Sequence, residues 1–276
     1  MEAQTSARPD AVAGDPAVLR EDTDGVAVLT LNRPQTRNAL SMDMLVALGD
    51  QLARLATERH IRAVVLTAHG GAFSAGHDLK ELTAHRSDAD RGRGFTRQVM
   101  ESCNAVMLAI LRLPQPVIAA VEATATAAGC QLVATCDLAV ASSFAKFCTP
   151  GVNIGLFCST PMVALSRNVA RKHAMDMLLT GELISAEDAL RIGLVNRVVE
   201  PGAARAAALQ LARKIAAKPA AVVKLGKEAF YRQLELGVAD AYRYAGEVMV
   251  ENMMARDAME GITAFVEKRT PAWEDR

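Results

Sequence analysis

The chain is poor in aromatic residues and has no excess of charge of either sign. Aromatic side chains make up 4% of its 276 residues, and 31 Lys and Arg residues balance 31 Asp and Glu residues. A zero balance argues against a protein that binds nucleic acid or an anionic membrane surface through general positive charge. It still allows a local phosphate pocket made from a few basic side chains and backbone amides.

Cysteine and histidine are too few and too scattered to predict a disulfide framework or a metal site. The five cysteines are an odd number and contain no CxxC pair, and the five histidines contain no HxxxH pair. Reduced thiols are the default for such a pattern in an intracellular protein. The sequence therefore predicts a cytoplasmic location, with no metal ion and no cofactor.

Long hydrophobic runs are absent. No stretch approaches the run of about eighteen apolar residues that crosses a membrane, so we predict no membrane span. Residues 1–16 lack the apolar centre of a secretory signal, and Glu2, Asp10 and Asp15 argue against a transit peptide. We predict a flexible tail there. Hydrophobic residues make up 51% of the chain, which is enough for a sizeable core.

Short apolar runs alternate with helical patterns in the first two thirds of the chain. This alternation predicts an α/β fold with a parallel sheet and helices outside it. Ser41 is placed to cap the first helix. After residue 160 helices dominate, and one strand interrupts them at 194–199. The other predicted strands are at 26–31, 61–67, 117–121, 138–141 and 145–148, and the longest early helix is at 95–113.

Two loops each follow a buried strand and lead through small residues into the start of a helix. They are AFSAGHDLK at 72–80 and ATATAAGCQ at 123–131. Small residues let a ligand approach the backbone, and first-turn amides have no partner within the helix. Two such amides aimed at one carbonyl oxygen would form an oxyanion hole, which lowers a barrier by about 3 kcal/mol per donor. The alternative is two ordinary turns, and periodicity does not distinguish the two interpretations.

With these loops in their context, the chain resembles the crotonase (enoyl-CoA hydratase/isomerase) superfamily. The resemblance implies a crotonase-like spiral of ββα turns at 17–200 and a C-terminal helical trimerisation region at 201–276. It also implies a homo-oligomer, either a trimer or a dimer of trimers. The matching stretches, in family order, are LNRPQTRNALS at 31–41, AFSAGHDLKEL at 72–82, PVIAAVEATATAAGCQLVATCDLAVAS at 116–142, AKFCTPGVNIGLF at 145–157, LLTGELISAEDALRIGLVNRVV at 178–199 and AFVEKR at 264–269.

The resemblance also assigns binding residues by position. An acyl-CoA thioester would place its carbonyl oxygen between the backbone amides of His77 and Ala128. Where the family has a run of glycines, this chain has alanine at 127 and 128. Alanine keeps its N–H, so the donor survives if that backbone needs no positive φ. The residues implied for the CoA arm and its phosphates are Arg37, Ala75, Gly76, Asp78, Leu79, Lys80 and Gly129, with Lys268 reaching a neighbouring subunit's ligand.

The two acids that the resemblance implies for hydration are missing. Family hydratases carry glutamates where this chain has Gln131 and Gly151. An amide does not accept a proton near neutral pH and glycine has no side chain, so true hydration is not expected. Gln131 either orients a water or a substrate hydroxyl, or serves packing. Ser159 stands where related isomerases have an acid, and either it or Thr160 binds a substrate group, or Ser159 caps the helix that begins near Pro161.

Other reactive side chains have a structural interpretation beside the functional one. Cys158 as a nucleophile would need a base, and none is evident. Glu122 is either a substitute acid or a residue that faces solvent or pairs with Lys or Arg. The His77 ring is either an acid/base group or a bystander to its own amide. Asp137 is expected to bind backbone amides, and the charged segment at 86–97 is expected to be a solvated, mobile loop.

Three functions remain open at this stage. The first is an enzyme of the hydratase/isomerase type that acts on acyl-CoA by isomerisation, decarboxylation or weak hydration. The second is a non-catalytic acyl-CoA binder or carrier. The third is a partner-regulating role in fatty-acid metabolism, which would need neither the pocket nor the acids.

Overall fold

The computed structural model describes residues 14–275. Residues 1–13 of the predicted tail lie outside that part of the chain. Residues 15 and 16, which the sequence assigned to the tail, are held to the body of the protein. The Asn32 side-chain amide donates to the Pro16 carbonyl at 3.2 Å, and the Arg33 guanidinium donates to the Asp15 carbonyl at 2.9 Å.

Two sheets form the body of the protein. The larger has six strands in the order β1-β2-β3-β5-β7-β10, all parallel except the antiparallel pair β1 and β2. The smaller has the order β4-β6-β8-β9. The strands are β1 Val18–Thr23, β2 Val26–Leu31, β3 Ala63–Ala68, β4 Ala72–Ser74, β5 Val117–Val121, β6 Thr124–Thr126, β7 Leu138–Ser142, β8 Lys146–Cys148, β9 Ile184–Ser185 and β10 Arg197–Val199.

The chain alternates between these sheets. Strands β3, β5 and β7 lie in the large sheet, and the strand that follows each of them lies in the small one. A helix then returns the chain to the start of the next turn. This is the spiral of ββα turns that was predicted, and the α/β fold class is confirmed.

Alternating side chains on the large sheet build two cores. One face of β2 contributes Ala27, Leu29 and Leu31 to the main core, which lies between the sheets and the early helices. The opposite face contributes Val26 and Val28 to a second core, which helix α8 covers with Ala204, Ala208, Leu211 and Ala212. A strand buried on both faces reads as a continuous apolar run, which explains why β2 was found from the sequence.

Eleven α-helices are present among residues 14–275, and no helix there is both long and apolar enough to cross a membrane. Helix α8 packs on the sheet, and the boundary drawn at residue 200 stays a prediction. The helices are α1 Met42–Leu55, α2 Leu79–Ala84, α3 Arg93–Arg112, α4 Ala128–Thr135, α5 Pro161–Asn168, α6 Arg171–Thr180, α7 Ala186–Arg191, α8 Ala204–Ala216, α9 Ala220–Gln233, α10 Val238–Met254 and α11 Arg256–Glu267.

Helix α9 is fastened to the sheet by a buried polar network around Asp137. The Asp137 carboxylate accepts from the Val117 amide at 2.7 Å, from the Lys227 ammonium at 2.7 Å and from the Tyr231 hydroxyl at 2.8 Å. Lys227 also donates to the carbonyls of Ile110 at 2.9 Å and Gln115 at 3.0 Å, so all three of its protons are used. The expectation that Asp137 binds backbone is confirmed.

The loop predicted at 86–97 is wrong in its second half, because α3 begins at Arg93. The Asp90 carboxylate accepts from the amides of Gly92 at 2.9 Å and Gly94 at 2.7 Å, which starts the helix inside a run of charge. Strands β1, β4, β6 and β9 were not predicted. The first is an edge strand with polar residues, and the other three have three residues or fewer.

Candidate active site

The first loop is built on Asn38, whose contribution the sequence did not reveal. Asn38 is fully buried with φ of 50°, and its side-chain amide donates to the carbonyls of His69 at 2.8 Å and Ala72 at 2.9 Å. Its carbonyl accepts from the Ser74 hydroxyl at 2.8 Å. The sequence feature that could have identified Asn38 is an asparagine in a turn, because asparagine tolerates the left-handed region better than most residues.

The first loop turns the His77 amide away from α1. The Leu40 amide donates to the Gly76 carbonyl at 2.7 Å. In a trans peptide the carbonyl and the next N–H point in opposite directions. The N–H of His77 therefore points away from Leu40.

The second loop directs the Ala128 amide out of the start of α4. The Gln131 amide donates to the Ala127 carbonyl at 3.0 Å, which turns that carbonyl into the helix. The N–H of Ala128, across the same trans peptide, points out of the helix, where first-turn amides have no internal partner. Ala127 reaches this geometry with φ of 50° and ψ of −121°. The backbone therefore requires positive φ at Ala127, and not at Ala128, which is the proposed donor.

The two loops touch each other where each carries a glycine. A β-carbon on Gly76 would lie 3.2 Å from the Ala128 nitrogen, and one on Gly129 would lie 2.3 Å from the Ser74 carbonyl oxygen. The Thr126 hydroxyl adds a 3.1 Å hydrogen bond to the Ala75 carbonyl. The structure therefore brings together the segments 74–77 and 126–129.

Gln131 lies one turn further along α4 and is 4% exposed. Its side-chain oxygen Oε1 is buried and has no hydrogen-bond partner in residues 14–275. A buried acceptor without a donor is costly in a folded protein. This oxygen is therefore a ready acceptor for a donor from a ligand or a water.

Gly151 is buried, and the space beside it is filled. A β-carbon there would lie 2.8 Å from the Leu156 carbonyl oxygen and 2.9 Å from the Cys158 sulfur. A glutamate at this position needs that segment to move. Residues 156–158 thus fold into the volume that a side chain at 151 would enter.

Ser159 does not cap α5. The helix has Thr160 as its N-cap residue, with no side-chain capping bond, and Pro161 in its first turn. The exposed Ser159 hydroxyl instead donates to the Phe157 carbonyl at 3.2 Å. The capping prediction is wrong for Ser159, because the chain makes a tight local turn one residue before the helix begins.

The residues predicted for the CoA arm lie mostly at the surface. Asp78 caps α2 by accepting from the amides of Lys80 at 2.9 Å and Glu81 at 3.2 Å, which confirms the expected helix start. Leu79 is 50% exposed, and the side chains of Lys80 and Arg37 are exposed. The Arg37 carbonyl accepts from the Ala75 amide at 3.0 Å, which places these two predicted residues side by side. Lys268 lies at the exposed end of α11.

Glu122 is half-buried, and its carboxylate binds backbone amides. Its carboxylate accepts from the amides of Gly202 at 3.0 Å and Ala204 at 2.5 Å. The carboxylate serves the first turn of α8, where amides need an acceptor, and this differs from the ion pair that the sequence suggested.

The His77 ring is packed toward α1. Its Nδ1 lies 3.4 Å from the Leu40 carbonyl oxygen, and its Nε2 is buried with no partner among the described residues. Burial lowers the pKa of this imidazole below its ordinary value of 6.5. The ring is therefore neutral at pH 7, and a carbonyl partner at Nδ1 leaves Nε2 without a proton.

Three thiols lie together behind the second loop. Cys130 lies in the first turn of α4, the Cys148 carbonyl accepts from the Ala127 amide at 2.9 Å, and the Cys158 sulfur lies beside Gly151, three residues after Cys148. Burial raises the pKa of the Cys148 thiol to about 11 and also raises the pKa of the other two. All three are protonated at pH 7, which argues against Cys158 as a nucleophile.

One group of side chains on the described part of the chain has the composition of a metal site. Asp22, Glu58 and His60 can bring one ligand atom each within 4.8 Å of one another. The Arg20 guanidinium already binds both carboxylates, with a 2.8 Å contact to Asp22 and a close contact to Glu58. A cation of the protein itself thus holds this cluster together.

Comparison with known proteins gives one consistent result. The family described as enoyl-CoA hydratase/isomerase matches residues 21–276. A relative from Rattus norvegicus named enoyl-CoA hydratase domain-containing protein 3, mitochondrial, is 46% identical, and the match covers 97% of this chain and 88% of the relative. A relative of the same name from Homo sapiens is 48% identical over 91% of this chain and 81% of its own.

Solved structures agree with this result. An enoyl-CoA hydratase from Mycobacterium smegmatis has a TM-score of 0.89 and 55% identity, with coverage of 94% of this chain and 99% of that one. Human enoyl coenzyme A hydratase domain-containing protein 3 has a TM-score of 0.88 and 46% identity, with coverage of 93% and 100%.

The names of the relatives contradict the predicted cytoplasmic location. Those from rat, frog, mouse and human are all named mitochondrial. The prediction was wrong because it used free cysteines and acidic residues near the N-terminus. Free thiols indicate a reducing compartment and do not single out the cytoplasm.

Proposed function

This chain belongs to the enoyl-CoA hydratase/isomerase family, and from that premise we propose that it binds an acyl-CoA thioester and polarises its carbonyl between the backbone amides of His77 and Ala128. Family membership supports an enzyme of the hydratase/isomerase type. The activity we propose is stabilisation of an enolate, with hydration not expected as the main reaction.

The contact between the two loops carries the proposal. Gly76 leaves so little room that a β-carbon there would lie 3.2 Å from the Ala128 nitrogen. The next residue is His77, whose N–H points away from α1. We infer that the two donors, which come from separate loops, border one small volume, as a developing oxyanion requires. Neither donor depends on the identity of its side chain.

The exposed residues beside this volume suit the CoA arm. Arg37 and Lys80 carry positive charge at the surface near Ala75, where CoA phosphates would find cationic partners. Gly76, Asp78, Leu79 and Gly129 complete the proposed surface, and Lys268 of a neighbouring copy would add a further charge. Acyl-CoA is the substrate or ligand here, so no separate cofactor is proposed.

The missing acids argue against hydration. Gln131 offers a buried carbonyl oxygen that orients a donor but takes up no proton near pH 7. Gly151 has no side chain, and the segment at 156–158 fills the adjoining space. Neither position therefore supplies the base that would activate water.

A non-catalytic acyl-CoA binder is the second candidate. It is favoured by the same absence of carboxylates, because binding uses the two amides and needs no acid. It predicts micromolar or tighter binding, about −8 kcal/mol or better, without conversion of the ligand. Incubation with crotonyl-, dienoyl- and malonyl-type CoA esters followed by mass spectrometry separates the two, since only an enzyme changes the mass of the acyl group.

We also propose that the protein works as a homotrimer or a dimer of trimers. Helix α10 exposes large apolar side chains along much of its length. Val238 is 77% exposed and Tyr242 is 80% exposed, and on α11 Phe265 is 84% exposed. Exposed apolar area of this extent marks a protein interface. Sedimentation velocity of the full chain tests the state directly.

The oxyanion hole is tested by removing one N–H. Ala128 is the first residue of α4, where a missing N–H costs the helix no hydrogen bond. Because Ala127 does not have the extended backbone that normally precedes proline, urea unfolding is measured beside binding. We expect Ala128→Pro to weaken butyryl-CoA binding about 10-fold, the loss of roughly one hydrogen bond. Arg171→Pro is the control for proline at a first helical position, since Arg171 is the exposed first residue of α6.

Calorimetry reads the affinity, and circular dichroism verifies that both variants fold. Equal affinities of the wild type and Ala128→Pro would contradict the role of this amide. If the wild type binds neither butyryl-CoA nor octanoyl-CoA, the whole proposal fails.

A further inference from the structure

Cys158 occupies the space that a side chain at position 151 would need. Its sulfur lies 2.9 Å from the point where a β-carbon on Gly151 would stand, and its side chain is 9% exposed in total. The space beside Gly151 therefore holds a thiol, which belongs to a residue seven positions later in the chain.

The thiol lies against the same elements that present the second amide. Gly151, which lies beside the Cys158 sulfur, follows three residues after Cys148 at the end of β8. Cys148 accepts the Ala127 amide through its carbonyl at 2.9 Å, and Cys130 lies in the first turn of α4. Helices α4 and α5 pack together, and Cys158 lies three residues before the first residue of α5. The thiol and the Ala128 amide thus belong to one small neighbourhood.

A second observation in this neighbourhood points to a ligand. Gln131 follows Cys130 on α4, is 4% exposed, and carries the buried oxygen Oε1 with no partner among the described residues. Gln131 thus offers a hydrogen-bond acceptor to a ligand, and the protonated Cys158 thiol offers a donor. Burial holds the pKa of Cys158 above its ordinary value even though the Gly151 amide acts in the opposite direction.

We propose that the Cys158 thiol delivers a proton to the α-carbon of the thioester enolate held by the amides of His77 and Ala128. This rests on the proposed function above. The S–H bond breaks and the α-carbon gains a C–H bond, while the enolate electron pair forms that bond and restores the thioester carbonyl. The thiolate then recovers a proton from water.

The same residues identify the class of substrate. An amide at Gln131 and a protonated thiol at Cys158 provide a donor and no base. A substrate whose enolate forms without removal of a proton fits these two residues. A β-carboxyacyl-CoA meets this condition, because its carbon–carbon bond to the carboxylate breaks, carbon dioxide leaves, and the bonding electrons become the enolate. The oxyanion hole stabilises the charge that develops on the thioester oxygen.

The experiment uses the full chain with malonyl-CoA and methylmalonyl-CoA in D₂O. Wild-type protein is expected to release propionyl-CoA from methylmalonyl-CoA with one deuterium at C2 in a single configuration. Cys158→Ala is expected to lower kcat about 100-fold, the usual contribution of a positioned acid. Its residual product is expected to carry deuterium in both configurations, because solvent then protonates the enolate from either side.

Two variants separate chemistry from folding. Cys158→Ser keeps a small polar group, with a hydroxyl that is a much weaker acid, and is expected to be slow while binding butyryl-CoA like the wild type. Cys136→Ala removes a thiol of similar burial, 6% exposed, that lies beside Asp137 and Lys227, and is expected to keep rate and configuration.

Each result decides the matter. Unchanged rate and configuration in Cys158→Ala would overturn the role of the thiol. Absence of turnover by the wild type with both substrates, while butyryl-CoA still binds, would also overturn it and leave the proposed acyl-CoA site standing. Absence of butyryl-CoA binding would instead remove the proposed function itself.

Discussion

A β-carbon on Gly76 would stand 2.9 Å from the β-carbon of Ala127, closer than two carbons of separate residues approach. The two loops therefore meet only because one of them has no side chain at the crossing. Gly76 also has φ of 88°, which favours glycine on its own account. The spacing between the amides of His77 and Ala128 depends on this one residue.

Gly76→Ala is expected to damage the site and the fold together. The added methyl group meets Ala127 and the Ala128 nitrogen, so the loops must separate. We expect the free energy of unfolding to fall by about 2 kcal/mol, from strain at positive φ and overpacking. Butyryl-CoA affinity is expected to fall by about 10-fold or more as the two donors move apart. Urea unfolding and calorimetry measure the two effects.

Gly71→Ala is the matched control for this change. Gly71 lies five residues earlier in the same loop region, its β-carbon would meet nothing within 4 Å, and its φ is not positive. It is expected to leave affinity unchanged and stability within about 0.5 kcal/mol. Equal losses from both substitutions would show that the contact at Gly76 has no special role.

Ala127→Gly is expected to stabilise the protein. Ala127 has φ of 50° and ψ of −121°, a conformation that costs a residue with a β-carbon about 1–3 kcal/mol. Glycine relieves this strain. Its greater loss of chain entropy on folding costs about 0.5–1 kcal/mol, so we expect a net gain in stability of about 1 kcal/mol. Urea unfolding at fixed protein concentration measures it, and butyryl-CoA affinity is expected to persist because the Ala128 amide is unchanged.

The same substitution at an ordinary helical position has the opposite sign. Ala53 is exposed within α1, and Ala53→Gly is expected to cost about 1 kcal/mol. If Ala127→Gly destabilises the protein as much as Ala53→Gly does, the backbone at 127 carries no strain that glycine can relieve.

The sequence predicted those parts of the fold that local pattern encodes. Buried parallel strands such as Val117–Val121 read as apolar runs, and Ser41 was correctly identified as a cap, accepting from the Met44 amide at 3.3 Å. The short strands β4, β6 and β9 were not predicted, because three residues or fewer carry too little periodicity. The start of α3 was predicted wrongly, because Asp90 lies within a charged run that resembles a loop.

The site was predicted in outline through resemblance, and its details depend on contacts between distant residues. No local pattern shows that Gly76 touches Ala127, or that Glu122 serves amides eighty residues away. The occupation of the space at Gly151 by Cys158 likewise depends on how a loop folds back. Residue types were therefore informative where the chemistry is local, and not where tertiary packing decides what a side chain meets.

Stability is expected to fall as the pH drops below about 7, in part because of His77. Burial lowers the pKa of this imidazole in the folded protein below 6.5, the ordinary value that it has in the unfolded chain. Between these two values the unfolded chain binds the proton and the folded protein does not. Stability is therefore lost as the pH falls from 6.5 through the folded-state pKa, and this contribution levels off below it.

His77→Gln is expected to remove this part of the pH dependence. Unfolding in urea at pH 5, 6, 7 and 8 provides the measurement, with the wild-type protein as the reference. Because the proposed donor at this position is the backbone N–H, butyryl-CoA affinity is expected to stay within about 3-fold in His77→Gln. An identical pH profile in wild type and His77→Gln would exclude the buried imidazole as a source of the slope.

Lys227→Met is expected to cost about 3 kcal/mol of stability, because it leaves the Asp137 carboxylate buried without its cation. The side chains of Lys227 and Asp137 are 7% and 14% exposed, so water compensates little. Asp137→Asn combined with Lys227→Met is expected to recover part of the loss, since the uncompensated charge is then gone. Arg191→Met, which removes a pair with side chains 64% and 46% exposed, is expected to change stability by less than about 0.5 kcal/mol. Denaturant unfolding of the four proteins decides whether this ion pair fastens α9 to the sheet: similar losses for Lys227→Met and Arg191→Met would mean that it does not.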